Sequence, residues 1–73
     1  MTKEKEILRK IYEERVRQDL KWGIQHHSNA EWLAILVEEI GEVAKALLEN
    51  SNIEEEIIQC MAVCVAWLED KYR

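Results

Sequence analysis

The sequence predicts an all-α protein, a short helical hairpin-type bundle of three helices that is completed by oligomerisation. Proline is absent and only two glycines interrupt the 73 residues, while nearly every segment is rich in Glu, Lys, Leu, Ile and Ala, which favour helices. Apolar residues also recur three and four positions apart, as on one face of a helix. A chain of this length forms one domain, residues 1–73, and struggles to bury a sufficient core without a disulfide, a metal or a second copy.

The first predicted helix begins near Lys3 and ends near Asp19. The connector that follows, residues 21–27, is too polar and too interrupted by Gly23 to continue the amphipathic pattern. We therefore expect a helix with one apolar face, followed by a loop. That face consists of Ile7, Leu8, Ile11, Tyr12, Val16 and Leu20.

The second predicted helix starts after Ser28 and runs to about Glu49. Ser28 stands three positions before Glu31, the spacing of a capping box in which each side chain accepts from the other residue's backbone amide. One narrow apolar stripe is the predicted core face of this helix. The stripe consists of Leu33, Leu36, Ile40, Val43 and Leu47.

The third predicted helix runs from about Ile53 to Tyr72, after a break at residues 50–52. Ser51 and Glu54 repeat the capping-box spacing at its start. Residues 60–68 are all apolar and so cover every side of the helix, yet they are too few to span a bilayer, which requires about 20 residues. We expect a second copy of the chain to cover the remaining side, in a dimer or a dimer of dimers.

Composition narrows the choice of partner and compartment. The net charge of −5 argues against nucleic acid or an anionic membrane as the main partner, because both are themselves negatively charged. The first residues contain no apolar signal core, so we expect a cytoplasmic protein. Cys60 and Cys64 lie on one helix with the histidines far away, which disfavours both a disulfide and a zinc site. We expect the two thiols to pack in the core.

Paired polar residues at helical spacing are the strongest chemical signal. Glu39 and Glu42 share one side of their helix, beside the apolar stripe. An ionised carboxylate near an apolar wall is costly unless a proton or a cation satisfies it, and Mg²⁺ prefers such hard oxygen ligands. Glu56 and Gln59 repeat the spacing on the third helix. The alternative is chance, because a chain with 15 acidic residues also forms such pairs on solvated faces.

Polar and aromatic residues cluster near the end of the first helix. Trp22 can stack on a flat ring, and Gln18, Lys21 and Gln25 can donate hydrogen bonds to a polar or anionic ligand. The alternative for Trp22 is a hydrophobic plug at the end of a helix. The two histidines at residues 26–27 are expected to form an exposed loop pair, because adjacent side chains point in different directions.

Short motifs follow one another along nearly the whole chain. They are Glu14-Arg15, Gln18-Asp19, Lys21-Trp22-Gly23, His27, Glu31-Trp32-Leu33, Glu38-Glu39-Ile40-Gly41-Glu42-Val43-Ala44, Glu56-Ile57-Ile58-Gln59, Ala62-Val63 and Trp67-Leu68-Glu69. In this order they resemble the short MazG-like proteins, which belong to the all-α nucleoside triphosphate pyrophosphohydrolases. The pattern of that family is ExxE followed, after a linker, by ExxD.

The resemblance implies an enzyme that cleaves a nucleoside triphosphate between its α- and β-phosphates and releases the monophosphate and pyrophosphate. It implies Mg²⁺ as the metal, with Mn²⁺ as the alternative. Glu39 and Glu42 fall on catalytic positions and, together with Glu56, on metal-binding positions of the family. Gln59 falls on the fourth metal-binding position, where the family has Asp.

Gln59 leaves three functions open. A glutamine offers a metal one neutral oxygen, but it supplies neither the negative charge of Asp nor a general base. Glu38 is a weak substitute, because it projects about 100° away from Glu39 towards the solvated face. The protein is therefore an active pyrophosphohydrolase, a nucleotide-binding module without turnover, or a helical oligomerisation protein whose acids keep its rim soluble.

Overall fold

Three α-helices make up the computed structural model, which describes residues 2–73. They are α1 (Lys3–Trp22), α2 (Asn29–Leu48) and α3 (Ile53–Lys71), and no strand occurs in that part of the chain. The predicted all-α class is therefore confirmed. Helix α3 packs against both other helices, whereas the backbones of α1 and α2 stay apart over the described residues, with no two Cα atoms within 8 Å of each other. Within residues 2–73, none of the helices has the length and apolarity that crossing a lipid bilayer requires.

Helix α1 ends three residues later than the sequence suggested. Gly23 closes it with φ of 75° and donates its backbone N–H to the Asp19 carbonyl at 2.8 Å, in a left-handed conformation that costs glycine little. Lys21 lies in the last turn, where a positive charge interacts favourably with the helix dipole. The prediction that the connector begins at Lys21 was wrong, and Trp22 is helical.

Helix α2 has the predicted start and a well-defined end. The Glu31 amide donates to Ser28 Oγ at 3.2 Å and the Ser28 amide donates to the Glu31 carboxylate at 2.8 Å, so the capping box is confirmed. At the other end Asn50 adopts φ of 55° and the Ser51 amide donates to the Ala46 carbonyl at 2.8 Å. These bonds form a Schellman motif, which reverses the chain towards α3.

The predicted capping box at Ser51 and Glu54 was wrong. The N-cap of α3 is Asn52, whose side-chain oxygen accepts from the Glu55 amide at 3.3 Å. Ser51 is still part of the turn that ends α2, so α3 begins one residue later than a Ser51 cap requires. Asparagine caps a helix about as well as serine does.

The buried core lies between α2 and α3. Trp32, Val63 and Ala66 form its centre, and the partly buried residues packed on it are Ile35, Leu36 and Trp67. The predicted core stripe of α2 was largely wrong: Leu33, Ile40 and Leu47 are 52%, 54% and 63% exposed. The covered face is rotated by about 60° on the helical wheel, because the large indole of Trp32 turns towards α3 and draws that side of the helix inward.

Every helix leaves apolar side chains uncovered. On α1 only Ile11 of the predicted apolar face is buried. On α3 the exposed apolar residues include Met61, Val65 and Leu68. Cys60 and Cys64 are both free thiols and only partly buried, so they line the edge of the core rather than its centre. Oligomerisation, which would cover these surfaces, stays a prediction.

Candidate functional site

A cleft of about 530 Å³ opens where α1 and α2 diverge above α3. Glu14 and Gln18 of α1 line one wall, Glu39 of α2 lines the other, and Val63 and Ala66 of α3 lie at its floor. The connector between α1 and α2 contributes the lining at one end. The cleft exists because α3 lies between two helices whose backbones stay apart within the described chain.

Most of the residues singled out by sequence converge on this cleft. Two predicted site residues, Glu42 and Glu56, do not line it; Glu42 is exposed and Glu56 is half-buried. The predicted site residues that do line it are Gln18, Lys21, Trp22, Gln25, Glu39 and Gln59. The candidate nucleotide-binding residues and part of the candidate metal-binding set therefore share one surface.

Glu39, on the α2 wall (the acidic wall), is the carboxylate on which the other acids act. Its side chain is half-buried, and burial is the main reason that its pKa is raised, followed by repulsion from Glu56, Glu42, Glu14 and, least, Glu38. Burial and like charges both disfavour the ionised form of a carboxylate. The two predicted pairs thus influence one another at Glu39, although they come from different helices.

Glu14, on the opposite α1 wall, is an acid of the cleft that the sequence analysis did not assign. Its side chain is only 11% exposed, and Arg17 donates to its two oxygens at 2.7 and 2.8 Å. Gln18 Nε2 donates to the same carboxylate at 3.4 Å. The available signal was spacing, since Glu14 lies one helical turn from both Ile11 and Gln18 and so on the inward side of α1.

The donors near Glu39 fit a hard cation in their chemistry. Carboxylates and the amide oxygen of Gln59 are the ligand types that Mg²⁺ prefers. As the side chains stand, no three His, Cys, Asp or Glu residues of the described part of the chain converge as a metal centre requires. A metal would therefore draw the exposed Glu42 and half-buried Glu56 towards Glu39.

Trp22 and Lys21 form the aromatic part of the cleft. Lys21 Nζ lies 4.8 Å from the ring centroid of Trp22, within the range of a cation–π interaction. Trp22 is 57% exposed, which argues against the alternative of a hydrophobic plug. An exposed indole beside a positive charge suits a ligand that has both a planar ring and phosphates.

Asp70 holds together the connector end of the cleft, to which Trp22 and Lys21 also belong, and sequence reasoning missed it. Its carboxylate accepts from His26 Nδ1 at 2.6 Å, from the His27 amide at 3.0 Å and from Trp32 Nε1 at 2.7 Å. The His27 amide, then the Trp32 indole and His26, hold the pKa of Asp70 well below its ordinary value. His26 is an exposed loop residue as predicted, and it donates a hydrogen bond to Asp70.

Arg15 joins α1 to the end of α3. It is almost fully buried, and its guanidinium donates to Glu69 at 2.8 Å, to Asp19 at 3.0 Å and to Gln18 at 3.2 Å. These partners satisfy a charge that would otherwise be costly to bury. Arg15 therefore fixes the position of the α1 wall relative to the floor of the cleft.

Comparison with known proteins assigns no family to the chain. No protein-family model matches it, and no curated protein or solved structure is significantly similar to it. The likeness to MazG-like proteins consequently rests on the motifs of the sequence itself.

Proposed function

We propose that this protein is a Mg²⁺-dependent nucleoside triphosphate pyrophosphohydrolase. The observation that carries the proposal is Glu39, a half-buried carboxylate with a raised pKa among other acids, in one cleft with an exposed Trp22 and Lys21. Carboxylates held together beside apolar residues are stabilised by a divalent cation. A Mg²⁺-bound nucleoside triphosphate brings that cation together with a planar base, and the cytoplasmic nucleotide pool would supply it.

The acidic residues have distinct roles in this proposal. Glu39, Glu42 and Glu56 hold the metal, and Gln59 contributes a neutral oxygen. Glu14 lies on the opposite wall and contributes to the raised pKa of Glu39, but Arg17 pairs with its carboxylate. When bound, Mg²⁺ would neutralise the phosphates and lower the pKa of an attacking water. One of the three acids that hold the metal also accepts a proton from that water.

The aromatic end of the cleft binds the nucleoside. Trp22 stacks on the base, and Lys21 lies where its charge attracts the phosphates. Gln18 and Gln25 provide amide groups for the base edge. His27 Nε2 donates to Gln25 Oε1 at 3.0 Å, which orients the Gln25 side chain within the lining.

A turnover screen tests the proposal directly. All canonical and several damaged nucleoside triphosphates are incubated with Mg²⁺ or Mn²⁺, and chromatography separates monophosphate and pyrophosphate from diphosphate and phosphate. We expect monophosphate and pyrophosphate from at least one substrate, and loss of that activity in Glu39→Gln. Glu38→Gln, on the exposed side of the same helix, is the matched control and should retain activity. Diphosphate as the product would exclude the proposed cleavage.

Gln59→Asp tests the position where the family pattern and this chain differ. If Gln59 faces the metal, the added charge should tighten Mg²⁺ binding and raise or preserve hydrolysis. If Gln59 belongs to a tuned polar arrangement instead, Asp should destabilise the metal-free protein and lower turnover. Unchanged Mg²⁺ affinity, hydrolysis and thermal stability would remove Gln59, and with it Glu56, from the site.

Two further functions remain as alternatives. Binding of Mg²⁺ and a non-hydrolysable triphosphate without turnover of any substrate would favour a non-catalytic nucleotide-binding module, in agreement with Gln59. The exposed apolar residues of all three helices favour a homo-oligomer, a dimer or a dimer of dimers, whose acids only solubilise its rim. No binding of metal or nucleotide in isothermal titration would favour this oligomerisation protein.

Paired substitutions on α3 test the oligomer. Val65 is exposed whereas Val63 is buried in the core, so Val65→Asp should dissociate the oligomer and leave the chain helical, while Val63→Asp should unfold it. Sedimentation and circular dichroism measure the two effects. A native protein that sediments as a folded monomer at micromolar concentration would contradict the oligomer.

A further inference from the structure

We propose that Asp70 is a positioning residue for the nucleoside end of the cleft. It holds the connector at residues 25–27 and the indole of Trp32 in place before a ligand arrives. This inference rests on the proposed function for the identity of the ligand, but its structural part can be measured without any ligand.

Asp70 is placed to do this by the origin of its hydrogen-bond donors. Its side chain is only 4% exposed, and the three donors are a loop side chain, a loop amide and an indole of α2, namely His26, His27 and Trp32. One carboxylate at the end of α3 therefore ties the connector and the start of α2 to the same point. The Arg73 guanidinium, 3.6 Å away, adds a positive charge on the same side.

The groups that Asp70 holds form part of the cleft. His27, Trp32, Gln25 and Arg73 all belong to its lining, and His27 packs edge-on against Trp32 with ring centroids 4.8 Å apart. Arg73 Nη1 also donates to the Gln25 carbonyl at 2.9 Å. A connector released from Asp70 would therefore change the shape of this end of the cleft.

The acidic wall lies far enough away to be spared. Trp32 and Glu39 are separated by about two turns of α2, roughly 10 Å along its axis. A change at Asp70 should consequently alter the affinity for the nucleoside part of a ligand more than metal binding or the chemical step. A substitution at Asp70 should therefore raise KM and leave kcat nearly unchanged.

The chemistry at residue 70 requires a carboxylate. Its two oxygens accept from three donors, whereas an asparagine has one acceptor oxygen and an N–H₂ group that would face a donor. Asp70→Asn therefore keeps the volume of the side chain but removes its charge, which weakens the hydrogen bonds from the His27 amide and the Trp32 indole. Glu54→Gln is the matched control, because it makes the same kind of change at the other end of α3, where the carboxylate is 74% exposed and pairs with Lys10.

The decisive experiment combines NMR and steady-state kinetics on the intact protein. In ¹⁵N-labelled Asp70→Asn we expect the Trp32 indole N–H resonance to shift and the His27 amide to exchange about tenfold faster, as loss of a charge-assisted hydrogen bond implies. With Mg²⁺ and the best substrate of the screen, KM should rise about tenfold, with kcat within about twofold. Glu54→Gln should show neither change.

Each outcome decides a separate point. Native exchange at His27 in a folded Asp70→Asn protein would overturn the proposal. Faster exchange with an unchanged KM would overturn the role in ligand binding. If Asp70→Asn does not fold, His26→Ala, which removes a donor that is 88% exposed, replaces it: faster His27 exchange supports the proposal and native exchange overturns it. If the native protein neither binds nor turns over any triphosphate, the proposed function fails. Amide exchange at His27 still tests whether Asp70 holds the connector in place.

Discussion

Glu39 lines the cleft and Asp70 lies behind it, bonded to His27 and Trp32 of the lining, and the surroundings of these two carboxylates differ in one decisive respect. Asp70 is more deeply buried, yet donors from the connector and α2 surround it and its pKa is lowered. Glu39 is less buried, but its neighbours are other acids and its pKa is raised. The number of donors, and not the depth of burial, decides whether a buried charge stabilises a fold. Hydrogen bonds thus stabilise the charge at one end of the cleft, whereas burial and like charges disfavour the charge at the other.

Removing each carboxylate in turn is the strongest test of this difference between Asp70 and Glu39. Asp70→Ala leaves the His27 amide and the Trp32 indole without their acceptor, so the thermal midpoint should fall by more than about 10 °C. Glu39→Ala should change it by much less, because the lost side chain is surrounded by like charges. Differential scanning calorimetry gives both values. An equal decrease of the thermal midpoint in both variants would mean that Asp70 and Glu39 contribute alike to stability.

Trp32→Phe isolates a single bond at the stable end. Phenylalanine keeps an aromatic ring in the core but lacks the indole N–H that donates to Asp70, so unfolding free energy should fall by about 1.5–3 kcal/mol. Trp67→Phe is the matched control. The Trp67 indole donates to Asn29 in an exposed bond, and its loss should cost less than about 1 kcal/mol. Urea denaturation monitored by circular dichroism measures both, and equal costs would reject the special role of the Asp70 bond.

Lowering the pH should remove the contribution of Asp70 to the stability of the fold. Because its pKa in the fold lies below that of an unfolded Asp, about 3.9, its stabilisation is complete above about pH 4 and is lost as the pH falls through the lower, folded value. The stability gap between native protein and Asp70→Asn should therefore be constant from about pH 7 to pH 5 and shrink towards pH 2. A gap that stays constant down to pH 2 would show that charge is not what Asp70 contributes.

Glu39→Gln should have the smallest effect, with the opposite sign. A raised pKa means that the fold disfavours the ionised form, so the substitution should stabilise the metal-free protein near pH 7 by less than about 1 kcal/mol. This gain should vanish below about pH 4, where Glu39 is protonated in both states. Added Mg²⁺ should raise the thermal midpoint of the native protein and hardly affect the variant. Equal Mg²⁺ stabilisation of both would separate Glu39 from any metal.

Sequence predicted the helices well because their signals are local. The absence of proline, the Ser28–Glu31 capping box and Gly23 all act within one or two helical turns. The face of α2 was misassigned because two apolar sides compete on that helix, and only the position of α3 decides which is covered. Periodicity reports that a helix has an apolar side and does not say which partner covers it.

The site was predictable in its residues but not in its organisation. Glu39, Gln59 and Trp22 could be selected by residue type and spacing, and they do line one cleft. Asp70 could not, because its partners His26 and His27 lie 44 and 43 positions away in the chain. An aspartate in the last turn of a helix resembles an ordinary surface acid until the fold brings donors to it.

The separation between the backbones of α1 and α2 has a consequence for how the cleft is assembled. Helices α2 and α3 are joined by a short Schellman turn and can pair as a local hairpin, which closes quickly. Helix α1 instead docks on α3 through partners such as Arg15 and Glu69, which are 54 positions apart. Long-range docking of this kind comes late in folding and is the first to be undone by local unfolding. We therefore expect the wall that carries Glu14 and Trp22 to fold last, and a ligand that bridges both walls to slow its release.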